Sequence, residues 1–263
     1  MPRVGLGVFK MSEPKVTVNA VLEALRAGYR AIDTASYYKN EKEVGEAIRL
    51  SEVPREELFI TTKVWNDEQG YDETLRAFEK SLRTLGLDYI DLYLIHWPLP
   101  DIFVDTYRAI ERLYEEKLIR VPGVSNHHEK HLLQLENKVN THPMINQVEC
   151  HPYLQQRDLK EFCEERQIAV TAWSPLVKGN ILQDELVKSL AQKHAKTPAQ
   201  IILRWHLERN TIVIPKSVTA SRIKENFDLF NFRLEEKDME KMSKLDCNGR
   251  LGIDPETEDF RFL

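Results

Sequence analysis

Residues 92–96 read LYLIH, four apolar or aromatic side chains in succession and then a histidine. A strand with one solvated face alternates; a run that does not is suited to burial on both faces, as in a parallel sheet covered by helices. Seven other short runs of strand length recur, several of them likewise apolar on successive residues: VGLG (4–7), RAID (30–33), LFITTK (58–63), GVS (123–125), INQVE (145–149), VTAWS (170–174) and IVIPK (212–216). Their last residues follow one another at intervals of 26, 30, 33, 29, 24, 25 and 42 positions. A strand–helix unit occupies roughly thirty residues. Eight of them in series predict α/β architecture closed into a (β/α)8 barrel, one domain over 1–263, with an extra helix in the long last interval and another before an irregular C-terminal tail.

The segments between the runs agree. In DTYRAIERLYEE, Tyr107, Ile110 and Tyr114 share one helical face. TPAQ at 197–200 has the capping-box pattern with proline in the first turn. RAGY and TLGL place glycine just past helix ends.

Bulk properties narrow the function classes. The chain has 263 residues, 42% hydrophobic and 30% charged, with a net charge of −5. That balance gives no reason to expect nucleic acid or an anionic membrane as partner. No apolar run is long enough to span a bilayer, and the N-terminus lacks the apolar core of a signal peptide. Cys150, Cys163 and Cys247 are far apart and odd in number, as expected of thiols in a reducing cytoplasm. A monomer is expected, since no exposed apolar stripe stands out.

In a barrel of this kind chemistry sits at the C-terminal ends of the strands. The residues ending the runs are Gly7, Asp33, Lys63, His96, Ser125, Glu149, Ser174 and Lys216, with Gln147 nearby. A lysine or histidine at one strand end is usually an ion-pair partner or a satisfied loop residue. An acid, an amine and an imidazole ending three successive strands make a stronger case. Tyrosines follow the acid at 37 and 38. A phenol titrates roughly three units above neutral, about 4 kcal/mol away from easy proton transfer. A neighbouring ammonium lowers that value, and a carboxylate holds the ammonium in place. A chain of Asp33, Lys63 and Tyr38, with His96 orienting an oxygen, suits carbonyl reduction, and the missing hydride implies a cofactor. Lys63 as an imine-forming amine is the alternative, opposed by Asp33, which keeps it charged. A cofactor-binding protein without turnover is another, opposed by the intact set of four.

The dinucleotide fingerprint GxGxxG is absent. Lys216, Ser217 and Arg222, at the start of the helix after the eighth strand, fit a phosphate better than a bare ribose and point to NADP over NAD. HHEKH at 127–131 is expected to be a solvated helix start, with no metal role, and ECHP at 149–152 a loop. Pro122 is expected at a strand's first residue or a bulge.

IDTASYYKNEKEVGEAI, LFITTKVW, LYLIHWP, GVSN, NQVECHPYL, AWSPL and IPKSVTASRIKEN stand in this order and spacing over nearly the whole chain. Together they resemble the aldo-keto reductase family, and within it the small bacterial reductases of glyoxals and of 2,5-diketo-D-gluconate. The resemblance implies NADPH-dependent reduction of aldehydes and ketones, with Asp33, Tyr38, Lys63 and His96 as the catalytic tetrad; it selects Tyr38 over Tyr37 as proton donor. It implies cofactor contacts from Gly7, Val8, Asp33, Ser125, Asn126, Gln147, Trp173, Ser174, Leu176, Lys216, Ser217, Arg222, Glu225 and Asn226. Phe9, Trp65, His96 and Trp97 would line the substrate pocket. The family's hairpin ahead of the first strand is not in this stretch, and the residue after Asn126, usually aromatic, is His127.

Overall fold

Eight strands are joined in sequence order into one parallel sheet: β1 (Gly5–Gly7), β2 (Ala31–Asp33), β3 (Phe59–Val64), β4 (Ile90–Ile95), β5 (Ile119–Ser125), β6 (Ile145–Glu149), β7 (Ala169–Trp173) and β8 (Ile212–Val213). A parallel bridge from Val213 to Val4 closes the ring, backed by the amide of Gly7 donating to Pro215 O at 3.2 Å. These features come from a computed structural model, which describes residues 1–256.

Helices follow the strands: α1 (Pro14–Arg26), α2 (Glu41–Leu50), α3 (Tyr71–Leu85), α4 (Phe103–Glu115), α5 (Glu129–Glu136) and α6 (Arg157–Glu165). The long interval after β7 holds two, α7 (Glu185–His194) and α8 (Pro198–Glu208); α9 (Ala220–Phe227) and α10 (Glu236–Ser243) complete the set. The expected capping box is present on α8, where Thr197 and Gln200 each accept the other's backbone N–H. Gly86 ends α3 at φ 67°, a left-handed turn that favours glycine.

Alternation within each strand sorts side chains between two cores. On β4, Tyr93 and Ile95 join the large cluster between sheet and helices. Leu92 and Leu94 instead form a small inner cluster with Ile145 and Ile212, filling the barrel from within. Continuing that inward parity up the strands brings Asp33, Lys63, His96, Ser125, Gln147 and Trp173 to one rim. β5 begins four residues ahead of its sequence reading, at Ile119, and β8 is cut to Ile212–Val213; the other strands differ from theirs by at most two residues at either end.

Pro122 lies inside β5, paired with Tyr93, and not at the strand's first residue. The reason is directional. Its carbonyl faces the β6 side and accepts from Met144 N at 3.0 Å, and a strand residue's N–H points the same way as its C=O. The β5–β6 ladder begins only at Gly123 and Ile145, so no acceptor waits for the missing donor.

Candidate active site

At the rim of β2 and β3, Lys63 is wholly buried. Its ammonium donates to Asp33 Oδ1 at 2.6 Å, to Thr34 O at 2.8 Å and to the Tyr38 hydroxyl at 3.4 Å. All three donors of the amine are thereby directed. Asp33 is held from the other side, its Oδ2 accepting from Gln147 Nε2 at 2.7 Å. A short 3₁₀ turn over Ser36–Tyr38 follows β2 and returns Tyr38 over the amine. Thus the acid at the end of the AID strand is no solvated loop residue, and Tyr38, not Tyr37, reaches Lys63.

Burial disfavours charge on Lys63, but Asp33, and then Tyr38, outweigh it and raise its pKa above the ordinary lysine value. It stays charged. For Tyr38 the balance differs from the expectation of a lowered pKa. Burial raises it, Lys63 lowers it, Asp33 raises it again, and the net direction is upward. The ammonium's pull is present, and desolvation of the phenolate exceeds it. The phenol is therefore held protonated, as a donor requires.

His96 packs edge-on to Tyr38 and Trp65, at 5.7 and 4.9 Å between ring centroids. Burial, and then Lys63, lower its pKa well below the usual imidazole range, so it is neutral. Its Nδ1 makes no hydrogen bond among the described residues. A neutral imidazole keeps one N–H donor and can orient a substrate oxygen.

The walls are aromatic. Phe9 lies 4.9 Å from Tyr38, and Tyr37 stacks on Trp65 at 3.8 Å with 20° between the planes. Tyr37, passed over as a proton donor, is a wall residue that sequence reading missed; the tyrosine doublet was its only signal. Trp97 and Leu99 form a further patch against which Trp65 and Ile253 pack.

Ser125, Asn126 and Trp173 form one network: Ser125 Oγ donates to Gln147 O at 2.7 Å, Asn126 Nδ2 to His96 O at 2.9 Å, and Trp173 Nε1 to Asn126 Oδ1 at 2.8 Å. Gly7 has no room for a Cβ, which would stand 2.7 Å from Ile214 O, and Val8 N donates to Asp33 O at 3.1 Å. Beyond β7 the backbone turns left-handed at Ser174, Val177 and Lys178, with φ between 50° and 52°. Such conformations carry strain in a β-branched residue like Val177 and gather at functional sites; Leu176 lies among them. Lys216 and Arg222 are exposed beside buried Ser217 near the start of α9, and neither forms an ion pair among the described residues. Asn226 is buried there, and Glu225 accepts from Thr197 Oγ1 at 2.8 Å.

One motif differs from its sequence reading. His127 and His131 are buried against Phe103, not solvated. His127 Nδ1 lies 2.8 Å from the Ser125 carbonyl, which only accepts, so that nitrogen carries the proton. His127 thus fills an aromatic position as a neutral ring, its pKa lowered well below the usual range by burial and by His131. ECHP is the end of β6 and the loop after it, as expected, but a buried one: Glu149 and His151 are buried and paired at 2.9 Å.

The sequence pattern of the Aldo/keto reductase family matches residues 3–246. The chain belongs to the aldo/keto reductase family. It is 51% identical to a 9,11-endoperoxide prostaglandin H2 reductase of Trypanosoma cruzi (strain CL Brener), covering 97% of this chain and 92% of the relative. Identity is 50% to a glyoxal reductase of Bacillus subtilis (strain 168), over 97% of this chain and 93% of the relative. Among solved structures, an aldo-keto reductase from a Medee basin deep-sea metagenome library superposes with a TM-score of 0.96 at 46% identity, covering 98% and 96% of the two chains. A mutant of Gox0644 in complex with NADPH gives 0.93 at 45% identity, covering 98% and 94%.

Proposed function

We propose that this aldo/keto reductase reduces small reactive aldehydes and ketones, glyoxals foremost, with NADPH as reductant and Tyr38 as proton donor. The observation that carries the reading is the ammonium of Lys63, held by Asp33 at 2.6 Å and directed at the Tyr38 hydroxyl at 3.4 Å. The glyoxal reductase relative supports the substrate class, and the NADPH-bound neighbour supports the cofactor.

The residues present fit that cofactor. Lys216 and Arg222 are cations without an ion-pair partner among the described residues, beside Ser217 near a helix start, the chemistry a 2′-phosphate selects. Glu225 and Asn226 would meet the adenine, Ser174 and Leu176 the pyrophosphate, Ser125, Asn126 and Gln147 the carboxamide. Trp173 would stack on the ring, with Gly7, Val8 and Asp33 beside it. When bound, NADPH supplies hydride to the carbonyl carbon.

The chain's own part is to manage the oxygen. His96 and Tyr38 hold the carbonyl oxygen, and as negative charge develops there Tyr38 transfers its hydroxyl proton. Lys63 stabilises the phenolate that results, and Asp33 fixes Lys63. Phe9, Trp65 and Trp97 exclude water and favour flat carbonyl compounds. A charged, fully buried Lys63 is unsuited to imine formation. The free thiols of Cys150, Cys163 and Cys247 suit the cytoplasm, and among the described residues no helix is long and apolar enough to cross a membrane.

The test is Tyr38→Phe. Methylglyoxal-dependent loss of NADPH absorbance should fall at least 100-fold, the scale of a lost general acid, while NADPH binding, read by fluorescence, is retained. Full activity in that variant overturns the assignment.

A further inference from the structure

Beyond α10 the chain turns back across the rim, and Glu149 meets it there. Glu149 Oε1 accepts from the amide of Leu251 at 2.6 Å, and Oε2 accepts from the amide of Gly252 at 2.9 Å. His151 Nε2 completes the site at 2.9 Å from Oε1. Both carboxylate oxygens are thus taken up, two of the three contacts being successive amides of the tail. Burial works against the charge on Glu149, but His151 and the two amides outweigh it and hold the pKa below the usual carboxylate value.

The contacts on either side say what this grip positions. A Cβ on Gly252 would stand 2.7 Å from Trp173 Cη2 and 3.1 Å from Glu149 Oε2. The tail backbone therefore rests on the indole with no space between them. The next residue, Ile253, packs against Trp97 and Leu99. Further on, Glu256 Oε1 lies 3.3 Å from His128 Nδ1, and Lys130 Nζ donates to Glu256 O at 3.0 Å. Those last contacts are exposed and weak; the buried carboxylate is the strong one.

We propose that Glu149 is a positioning residue that fixes the tail against Trp173, so that Ile253 forms a wall of the substrate pocket beside Trp97. It touches no reacting atom; it acts through the tail, and it rests on the carbonyl-reductase reading above. Loss of the grip should free the tail, widen the pocket and weaken binding of a flat carbonyl substrate while leaving proton transfer intact.

Glu149→Gln tests this, because the amide NH₂ must face at least one of the three N–H groups now bonded to the carboxylate. Gly252→Ala displaces the tail from the other side without altering the barrel. Two readouts are taken on the single and double variants: KM and kcat for phenylglyoxal at saturating NADPH, and the rate at which trypsin cuts after Arg250, followed as release of the peptides that begin at Leu251, 251–263 and, after cleavage at Arg261, 251–261. Each single variant should raise KM at least three-fold with kcat within two-fold, and speed the cut at least three-fold. The double variant should exceed the stronger single by less than two-fold, because both act on one segment. Smaller single effects, a fall in kcat, or effects that multiply in the double variant overturn the proposal. Should the unaltered protein fail to oxidise NADPH, the reductase reading fails. The trypsin rates then decide the grip alone: faster and non-multiplying supports it, unchanged overturns it.

Discussion

Replacing Asp33 by asparagine should unsettle the fold as well as the chemistry, by an amount the burial dictates. Asp33 and Lys63 are both almost fully withdrawn from water and lie 2.6 Å apart. Removing one charge of such a pair leaves the other stranded, at a cost of about 3–5 kcal/mol. For a domain of this size each kcal/mol shifts Tm by about 2–4 °C, so Asp33→Asn should melt about 6–20 °C lower at pH 7. The companion variant Lys63→Met removes the other charge in a similar shape. Combined with Asp33→Asn it should recover much of the loss, since a pair replaced whole strands nothing. The sign with pH follows. In the unaltered protein Lys63 has a raised pKa, so its contribution is present below the unfolded value of about 10.4 and lost as pH rises through the folded one. In Asp33→Asn, burial without a partner should depress that pKa below the unfolded value, so stability then rises with pH. The gap in Tm should accordingly narrow between pH 7 and 9, measured by circular dichroism. A double variant as unstable as the sum of the singles, or a gap that widens, refutes the account.

Lys216→Ala and Arg222→Ala together should weaken NADPH at least ten-fold in a fluorescence titration while leaving NADH nearly unchanged, if those cations meet a 2′-phosphate. Four buried histidines, His96, His127, His131 and His206, have lowered pKa values, mainly through burial, His131 falling to about 4. Each is neutral when folded and charges on unfolding, so stability should fall as pH drops from about 6.5, by up to about 1.4 kcal/mol per unit for each group. Denaturant titration of His131→Gln should show a shallower acid slope. Gly45→Ala places a methyl 2.1 Å from Leu85 O, forcing α2 off α3; about 1–3 kcal/mol should be lost by thermal melting.

Much of the barrel was legible because its periodicity survives without partners. A run such as LYLIH is apolar on consecutive residues only when helices cover the outside and packed side chains fill the inside. The meeting of Asp33, Lys63 and His96 was legible for the same reason: they end adjacent strands at one inward parity. What remained hidden depends on residues far apart in the chain. Nothing in IRVPGVSN shows that Pro122 points its missing N–H toward a gap in the ladder. Nothing in HHEKH shows that His127 and His131 turn inward onto Phe103. The direction of the Tyr38 pKa was also beyond reach, because it is the difference between a pull visible in the motif and a desolvation set by its surroundings. The Glu149 grip on residues 251 and 252, about a hundred positions away, left a trace only as an acid at a strand end.

Gln147 reaches from β6 to Asp33 on β2, between strands that are not neighbours. The assembly of Asp33, Lys63 and Tyr38 is therefore cross-braced inside the wall itself, and every bond that aims Lys63 begins on a strand or on the turn leaving one. Loops above it can be exchanged, lengthened or retuned for another guest without loosening that brace. A protein organised this way separates what must stay constant from what can diverge, and the divergence costs its chemistry nothing.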